Sequence, residues 1–163
     1  MYLLDTPILL QLRAARVAEG DKRVSVWASR VSRDRLFISA LSLADLGALA
    51  TRIGRQDKAA GATMRNWIGQ QLVPAFDGHI LPIDAAIALR RGDIAVEEDR
   101  PALLAATAAE HGLTLVTLDP AGYRRARIRL LDPREGDTAQ AQDWRAAALQ
   151  SRPKGLRGLF IRG

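Results

Sequence analysis

The chain has 163 residues, with 24 Lys and Arg against 18 Asp and Glu, a formal net charge of +6, and no cysteine. That length suits one domain with a core of its own, and the lack of thiols excludes disulfide scaffolds, thiolate metal sites and cysteine nucleophiles. Hydrophobic residues make up 48% and charged residues 26%, as in globular proteins. No apolar run approaches the ~20 residues of a membrane span, because Asp5 and Arg13 interrupt the N-terminal one, which also lacks the marks of a signal peptide. The expectation is a cytoplasmic protein with no membrane partner. Residues 1–123 carry 14 basic and 14 acidic side chains, whereas the last 40 carry ten basic against four acidic, so the whole positive excess lies at the C-terminal end.

In chain order, Met1-Tyr2-Leu3-Leu4 reads as a buried strand. It feeds a helix with Thr6 as N-cap, Pro7 at the first helical position, and Ile8, Leu9, Leu12 and Ala15 at helical spacing. Leu36-Phe37-Ile38-Ser39 is a second strand. Behind it Ser42 opens a helix with Asp45 in its first turn and Leu46, Leu49, Ala50 and Ile53 on one face. Residues 60–75 form an amphipathic helix through Met64, Trp67, Ile68 and Leu72. His79-Ile80-Leu81 is a short strand, and Asp84 caps an Ala-rich helix over 84–91. A second Ala-rich helix runs from Pro101 to His111 and stops at Gly112. Leu113 to Thr117 is an apolar strand ended by Asp119-Pro120, and Ile128 to Leu131 is the last strand. Strands alternating with helices predict an α/β fold of three α/β/α layers around a mostly parallel sheet over 1–133. Residues 134–163 are a basic C-terminal extension, with a short helix near 144–149 and an apolar, basic end that docks on the domain or on a partner.

Ligands of open parallel sheets bind beyond the carboxyl ends of the strands. Asp5 and Asp119 sit at such ends, and Asp45 lies early in the helix after the second strand. Carboxylates converging on one edge repel each other unless a cation is present. Hard oxygen donors suit Mg²⁺ or Mn²⁺, and such a cluster fits phosphodiester hydrolysis. Each residue also has a structural reading. Asp5 suits a turn, Asp45 a capping box with Ser42, Asp119-Pro120 turn chemistry, and Glu97-Glu98-Asp99 a solvated acidic loop. Arg124, Arg125, Arg127 and Arg129 alternate into the last strand, as a phosphate-binding row or a charged edge guarding the sheet. No strand precedes a Gly-rich phosphate loop, which disfavours a nucleotide-binding domain.

Leu3-Leu4-Asp5-Thr6, the Ser-x-x-acid step to Asp45, Ile80-Leu81-Pro82-Ile83-Asp84, and above all the run Leu103–Ala108 through His111-Gly112-Leu113-Thr114-Leu115-Val116-Thr117 resemble a PIN-domain protein of the VapC/FitB toxin type over residues 1–133. The resemblance implies a metal-dependent endoribonuclease toxin hydrolysing RNA phosphodiester bonds, a homodimer, neutralised by a cognate antitoxin whose tail blocks the acidic site. It assigns catalysis and Mg²⁺ or Mn²⁺ binding to Asp5, Asp45 (a Glu in the family) and Asp119; for an RNA substrate, the basic row Arg124, Arg125, Arg127 and Arg129 is the expected contact with the phosphate backbone. The chain departs from the family where an acid should open the helix before Ala102, because Pro101 stands there; Asp99 is the candidate substitute. Pro7 and Gln11 replace a usual Asn and a common Glu. The alternative is a catalytically impaired PIN-fold protein acting as an RNA- or protein-binding module.

Overall fold

Residues 1–135 are described by the computed structural model; the expected helix near 144–149 and the apolar, basic end beyond it lie outside the described residues. Five parallel strands form one sheet in the order β3-β2-β1-β4-β5: β1 (Tyr2–Leu4), β2 (Leu36–Ser39), β3 (Ile80–Leu81), β4 (Thr114–Val116) and β5 (Leu130–Leu131). The register pairs Leu3 with Phe37 on one side and with Leu115 on the other. Successive strand residues point to opposite faces, and two cores follow from that period. Leu4, Ile38, Val116 and Leu131 join one core, while Leu3, Leu115 and the partly buried Phe37 and Leu130 join the other. These strands are apolar on both faces because both faces are covered, as parallel sheets require.

The first face carries α1 (Thr6–Ala15), α2 (Lys22–Arg30), α3 (Ala40–Gln56) and α4 (Lys58–Trp67), which bury Ile8, Leu9, Val24, Leu46, Ala50, Met64 and Trp67 against the sheet. The long helix expected over 60–75 runs without a break from Lys58 to Ala75, as α4, a π-helical stretch at Ile68–Leu72 and a last turn, α5 (Val73–Ala75). The second face carries α6 (Ala85–Arg90) and α7 (Asp99–Glu110), with Ile87 and five α7 residues from Ala102 to Ala108 in the core. This is the three-layer α/β/α arrangement expected from the sequence. No helix among the described residues is long and apolar enough to cross a membrane.

Four helix starts set the positions of Asp5, Asp45, Asp84 and Asp99. Asp5, not Thr6, is the N-cap of α1; its carboxylate accepts the Thr6 N–H at 2.7 Å, which leaves the Thr6 hydroxyl free for other partners. α3 begins at Ala40, capped by Ser39, so the capping box between Ser42 and Asp45 does not form. Ser42 is buried and its hydroxyl has no hydrogen-bond partner, and Asp45 falls in the second turn. Asp84 caps α6 as expected, accepting the Ile87 N–H at 3.0 Å. α7 begins at Asp99, two residues before Pro101, which brings Arg100 into its first turn. Pro101 is tolerated there because the first N–H groups of a helix have no intrahelical acceptor. The helix ends as expected, at Gly112 with φ +61°.

α3 and α4 pack closely through Gly54 and Gly61. A methyl group on Gly61 would collide with the Cα of Gly54 and stand 2.7 Å from its backbone nitrogen, atoms that cannot yield without moving a helix. Gly61→Ala is therefore expected to cost about 1–3 kcal/mol despite Ala's better helix propensity, measured by urea denaturation.

Candidate functional site

Strand order reverses between β1 and β4, because the chain builds outward from β1 to β3 and then returns to β4 on the other side. That switch point is where open α/β sheets place ligands. A cleft of about 660 Å³ opens there, lined by Asp5, Pro7, residues 95–98, Arg100, Pro101, Asp119 and residues 121–125.

Asp5 is 4% exposed at the end of β1, and its backbone N–H donates to the Val116 carbonyl at the end of β4. Its carboxylate accepts four hydrogen bonds. Oδ1 takes the Thr6 N–H at 2.7 Å and Arg100 Nη2 at 3.1 Å; Oδ2 takes the Thr117 hydroxyl at 3.0 Å and the Tyr123 hydroxyl at 3.3 Å. Every one of these donors comes from a different part of the chain's local structure: the start of α1, the start of α7, the end of β4 and the 3₁₀ turn Pro120–Ala126. A buried carboxylate satisfied this fully is held in one orientation.

Arg100 does more than contact Asp5. Its Nε donates to Asp45 Oδ2 at 2.7 Å, its Nη2 lies 2.5 Å from the same oxygen, and Nη2 also donates to the Thr6 hydroxyl at 2.8 Å. Thr6 in turn donates its own proton to Asp45 Oδ2 at 2.9 Å. One guanidinium thus bridges two carboxylates and the hydroxyl between them. A cation in the first turn of α7 opposes the helix dipole. Partial burial works against its charge, but the hydrogen bond to Asp45 and the charge of Asp5 outweigh that burial and hold its pKa above the usual arginine range. Burial, reinforced by the Asp5 charge, likewise pushes the Tyr123 phenol above the ordinary tyrosine value.

The structure therefore brings Asp5 and Asp45 together, with Arg100 between them. Asp119 borders the same cleft but is exposed; its carboxylate accepts the Gly122 N–H at 3.2 Å, and its own N–H donates to the Thr117 hydroxyl. Asp99 does not fill the gap left by Pro101. It begins α7 with its side chain 86% exposed, bound to Arg91 Nε at 3.0 Å. Arg124 and Arg125 line the cleft, whereas Arg127 and Arg129 do not. The alternating row expected there is a 3₁₀ turn closed by Arg127 at φ +53°, and Arg129 binds the Gly112 carbonyl, close to the Met1 amine at the opposite end of the strands. Arg134, at the start of the extension, folds back on buried Asp132 and holds its carboxyl below the usual range.

Arg100, Thr117 and Tyr123 are the site residues that sequence reasoning missed. The one available signal was a lone arginine directly before the proline that stands where an acid is expected. Tested against a divalent ion, this arrangement does not fit. Both Asp5 oxygens already accept two hydrogen bonds each, the place between Asp5 and Asp45 holds a guanidinium, and among the described residues no three acidic or histidine side chains group closely enough to hold a metal.

The PIN domain family model matches residues 2–128. The chain is 26% identical over 146 residues to the VapC ribonuclease Y4jK of Sinorhizobium fredii, covering 83% of this chain and 99% of that protein. It is 27% identical over 147 residues to toxin FitB of Neisseria gonorrhoeae, covering 82% and 98%. Among solved structures, the fold is similar to the FitAcB complex of N. gonorrhoeae (TM-score 0.72, 23% identity, 82% of this chain and 98% of that one). It is also similar to DNA-bound VapBC of Salmonella typhimurium (TM-score 0.61, 19% identity, 81% and 97%).

The Tyr123 contribution to an ultraviolet pH titration, isolated as the difference between wild type and Tyr123→Phe, is expected to ionise only above the ordinary tyrosine range. The raised pKa means that the protonated phenol favours the folded state, so this contribution to stability is complete below the unfolded-state pKa and is lost as pH rises through the folded one.

Proposed function

Because the chain belongs to the PIN-domain family, we propose that it is a ribonuclease toxin of the VapC/FitB kind, acting on RNA phosphodiester bonds in the cytoplasm as a homodimer and neutralised by a cognate antitoxin. The observation that carries the reading is Asp5: a buried carboxylate at the switch point, locked in place by four donors, opening onto a cleft rimmed by Arg124 and Arg125. The near-complete coverage of two relatives named as a ribonuclease and a toxin supports the same reading. Within it, Asp5, Asp45 and Asp119 are the catalytic carboxylates, and the rim arginines hold RNA phosphates. Asp5 and Asp45 are bound to Arg100, so no hydrolytic step runs through Mg²⁺ or Mn²⁺ while the guanidinium is seated.

One observation favours a second reading. The Arg100 bridge together with Pro101, which has no ligand atom, suits a PIN-fold protein that binds RNA or a partner protein without cutting. The two separate on one measurement. If the chain is a ribonuclease, Asp5→Asn lowers RNA cleavage by at least ~100-fold, as expected when a group acting in the transition state is lost. Equal RNA breakdown by wild type and Asp5→Asn rules the ribonuclease reading out.

The basic extension gives a further test. Removing residues 134–163 deletes six basic and three acidic side chains, a net loss of +3. RNA affinity and the steepness of its fall with salt are both expected to drop, followed by filter binding or fluorescence anisotropy from low to physiological salt. Unchanged slopes would leave the extension outside the RNA contact.

A further inference from the structure

Trp27 sits on α2, edge-on to Tyr2 of β1 with the ring centroids 5.5 Å apart. Its indole nitrogen is buried, and the N–H has no acceptor among the described residues. Buried polar groups are nearly always hydrogen-bonded, so an orphan of this kind marks a place where a partner is still to be supplied. Trp27 lines a groove of about 520 Å³ between α2 and the sheet, with Tyr2 and Leu131 on the sheet side and Val26 and Val31 on the helix side. Val26 is 48% exposed there. We infer that this groove is the seat of the near half of the chain's own C-terminal extension, residues 136–149, which covers the apolar walls and brings an acceptor to the Trp27 N–H.

Three observations choose this occupant. The first is where the chain goes: residues 132–135 themselves line the groove, and Arg134 is pinned by its hydrogen bonds to buried Asp132 and to the Leu118 carbonyl, so residue 136 starts inside it. Extended backbone covers ~3.3 Å per residue, so the nine residues from Glu135 to Trp144 reach up to ~30 Å, about twice the ~14 Å length of the nine-residue α2. The second is charge. The groove is lined by five basic side chains (Lys22, Arg23, Arg30, Arg35 and Arg134) against two acidic ones, Asp132 and Glu135. Residues 136–149 carry Asp137 and Asp143 against Arg145 alone, with Trp144 and Leu149 as apolar groups to bury, whereas 150–163 carry four basic and no acidic residues. The near half is attracted by this lining and the far half is repelled by it. The third is that VapC ribonuclease Y4jK and toxin FitB are matched over 98–99% of their lengths by only 82–83% of this chain, so this chain has an additional part that they lack. None of this depends on the ribonuclease reading.

The chain has no cysteine of its own, so two introduced thiols report on their mutual distance alone. Full-length Val26→Cys is combined with Ala141→Cys, Ala147→Cys or Leu159→Cys and oxidised mildly at low protein concentration, and the disulfide formed within one chain is followed by non-reducing electrophoresis. A freely moving tether closes only about threefold more slowly when its length from Glu135 doubles, as it does between positions 147 and 159. A seated near half is expected to give a disulfide at 141 or 147 at least ~10-fold faster than at 159, because docking raises the effective concentration of those thiols alone. A ratio of about threefold or less overturns the inference, and so does a disulfide that joins two chains instead, which would seat the segment on a second copy. A second measurement decides the matter if a thiol variant does not fold, as judged by circular dichroism. The Trp27 indole N–H signal, recognised by its absence in full-length Trp27→Phe, is expected to exchange with solvent at least ~10-fold faster in full-length Trp144→Ser/Leu149→Ser than in wild type. Exchange at the same rate in both overturns the inference equally. Neither readout involves RNA, so failure here leaves the ribonuclease reading untouched.

Discussion

Two carboxylates held side by side at the edge of a sheet are the constraint around which this molecule is organised. Asp5 cannot leave its place, because its backbone is tied to β4 and its side chain is buried. Asp45 arrives beside it on the second turn of α3. Like charges this close destabilise one another unless a cation or a proton intervenes. Arg100 intervenes, and the architecture near the cleft can be understood as the means of bringing it there.

Three helix starts each contribute one part of that solution. Capping of α1 by Asp5 releases the Thr6 hydroxyl, which then joins Asp45 to Arg100. The early start of α3 at Ala40 moves Asp45 out of the capping turn, so its carboxylate is available to a long-range partner rather than to its own backbone. The early start of α7 draws Arg100 out of the preceding loop and into a helix that is anchored on the sheet by its buried alanines and Leu104. That anchoring matters because an arginine on a free loop would surrender much more conformational entropy to make the same bonds. The geometry is thus a product of packing on the second face of the sheet acting on charges at its edge.

The fold was largely legible in the residues. Short continuous apolar runs at Leu3-Leu4, Phe37-Ile38 and Leu115-Val116, separated by segments of helical spacing, leave little besides a parallel sheet covered on both faces. Gly112 and Asp84 did what their local chemistry prescribes. The errors fell at helix starts. Ser and Thr are good caps wherever they stand, and Ser39 and Asp5 won over Ser42 and Thr6 because strand pairing of β1 and β2 ends where it does. At the site, Asp5 was identifiable because it ends a buried strand. Asp99 was misplaced because proximity in sequence to the missing acid says nothing about direction: on the first turn of α7 it meets Arg91 instead. The arginine row failed for a similar reason, since a 3₁₀ turn sends Arg124 and Arg125 to the cleft and leaves Arg129 at the far end of the strands.

What the sequence by itself determined is the layered α/β fold, the family it belongs to, and the presence of acidic side chains where strands end, because periodicity, turn residues and short motifs act over a few positions. What only the tertiary structure decided is which charges meet. The hydrogen bonds that join Asp5, Thr6, Asp45 and Arg100 across the site span 39 to 95 residues of chain, closed by the meeting of three helix starts at one sheet edge. The net charge of +6 carries no trace of that. Electrostatic partners are chosen by distance in space, and distance between remote segments is set by packing.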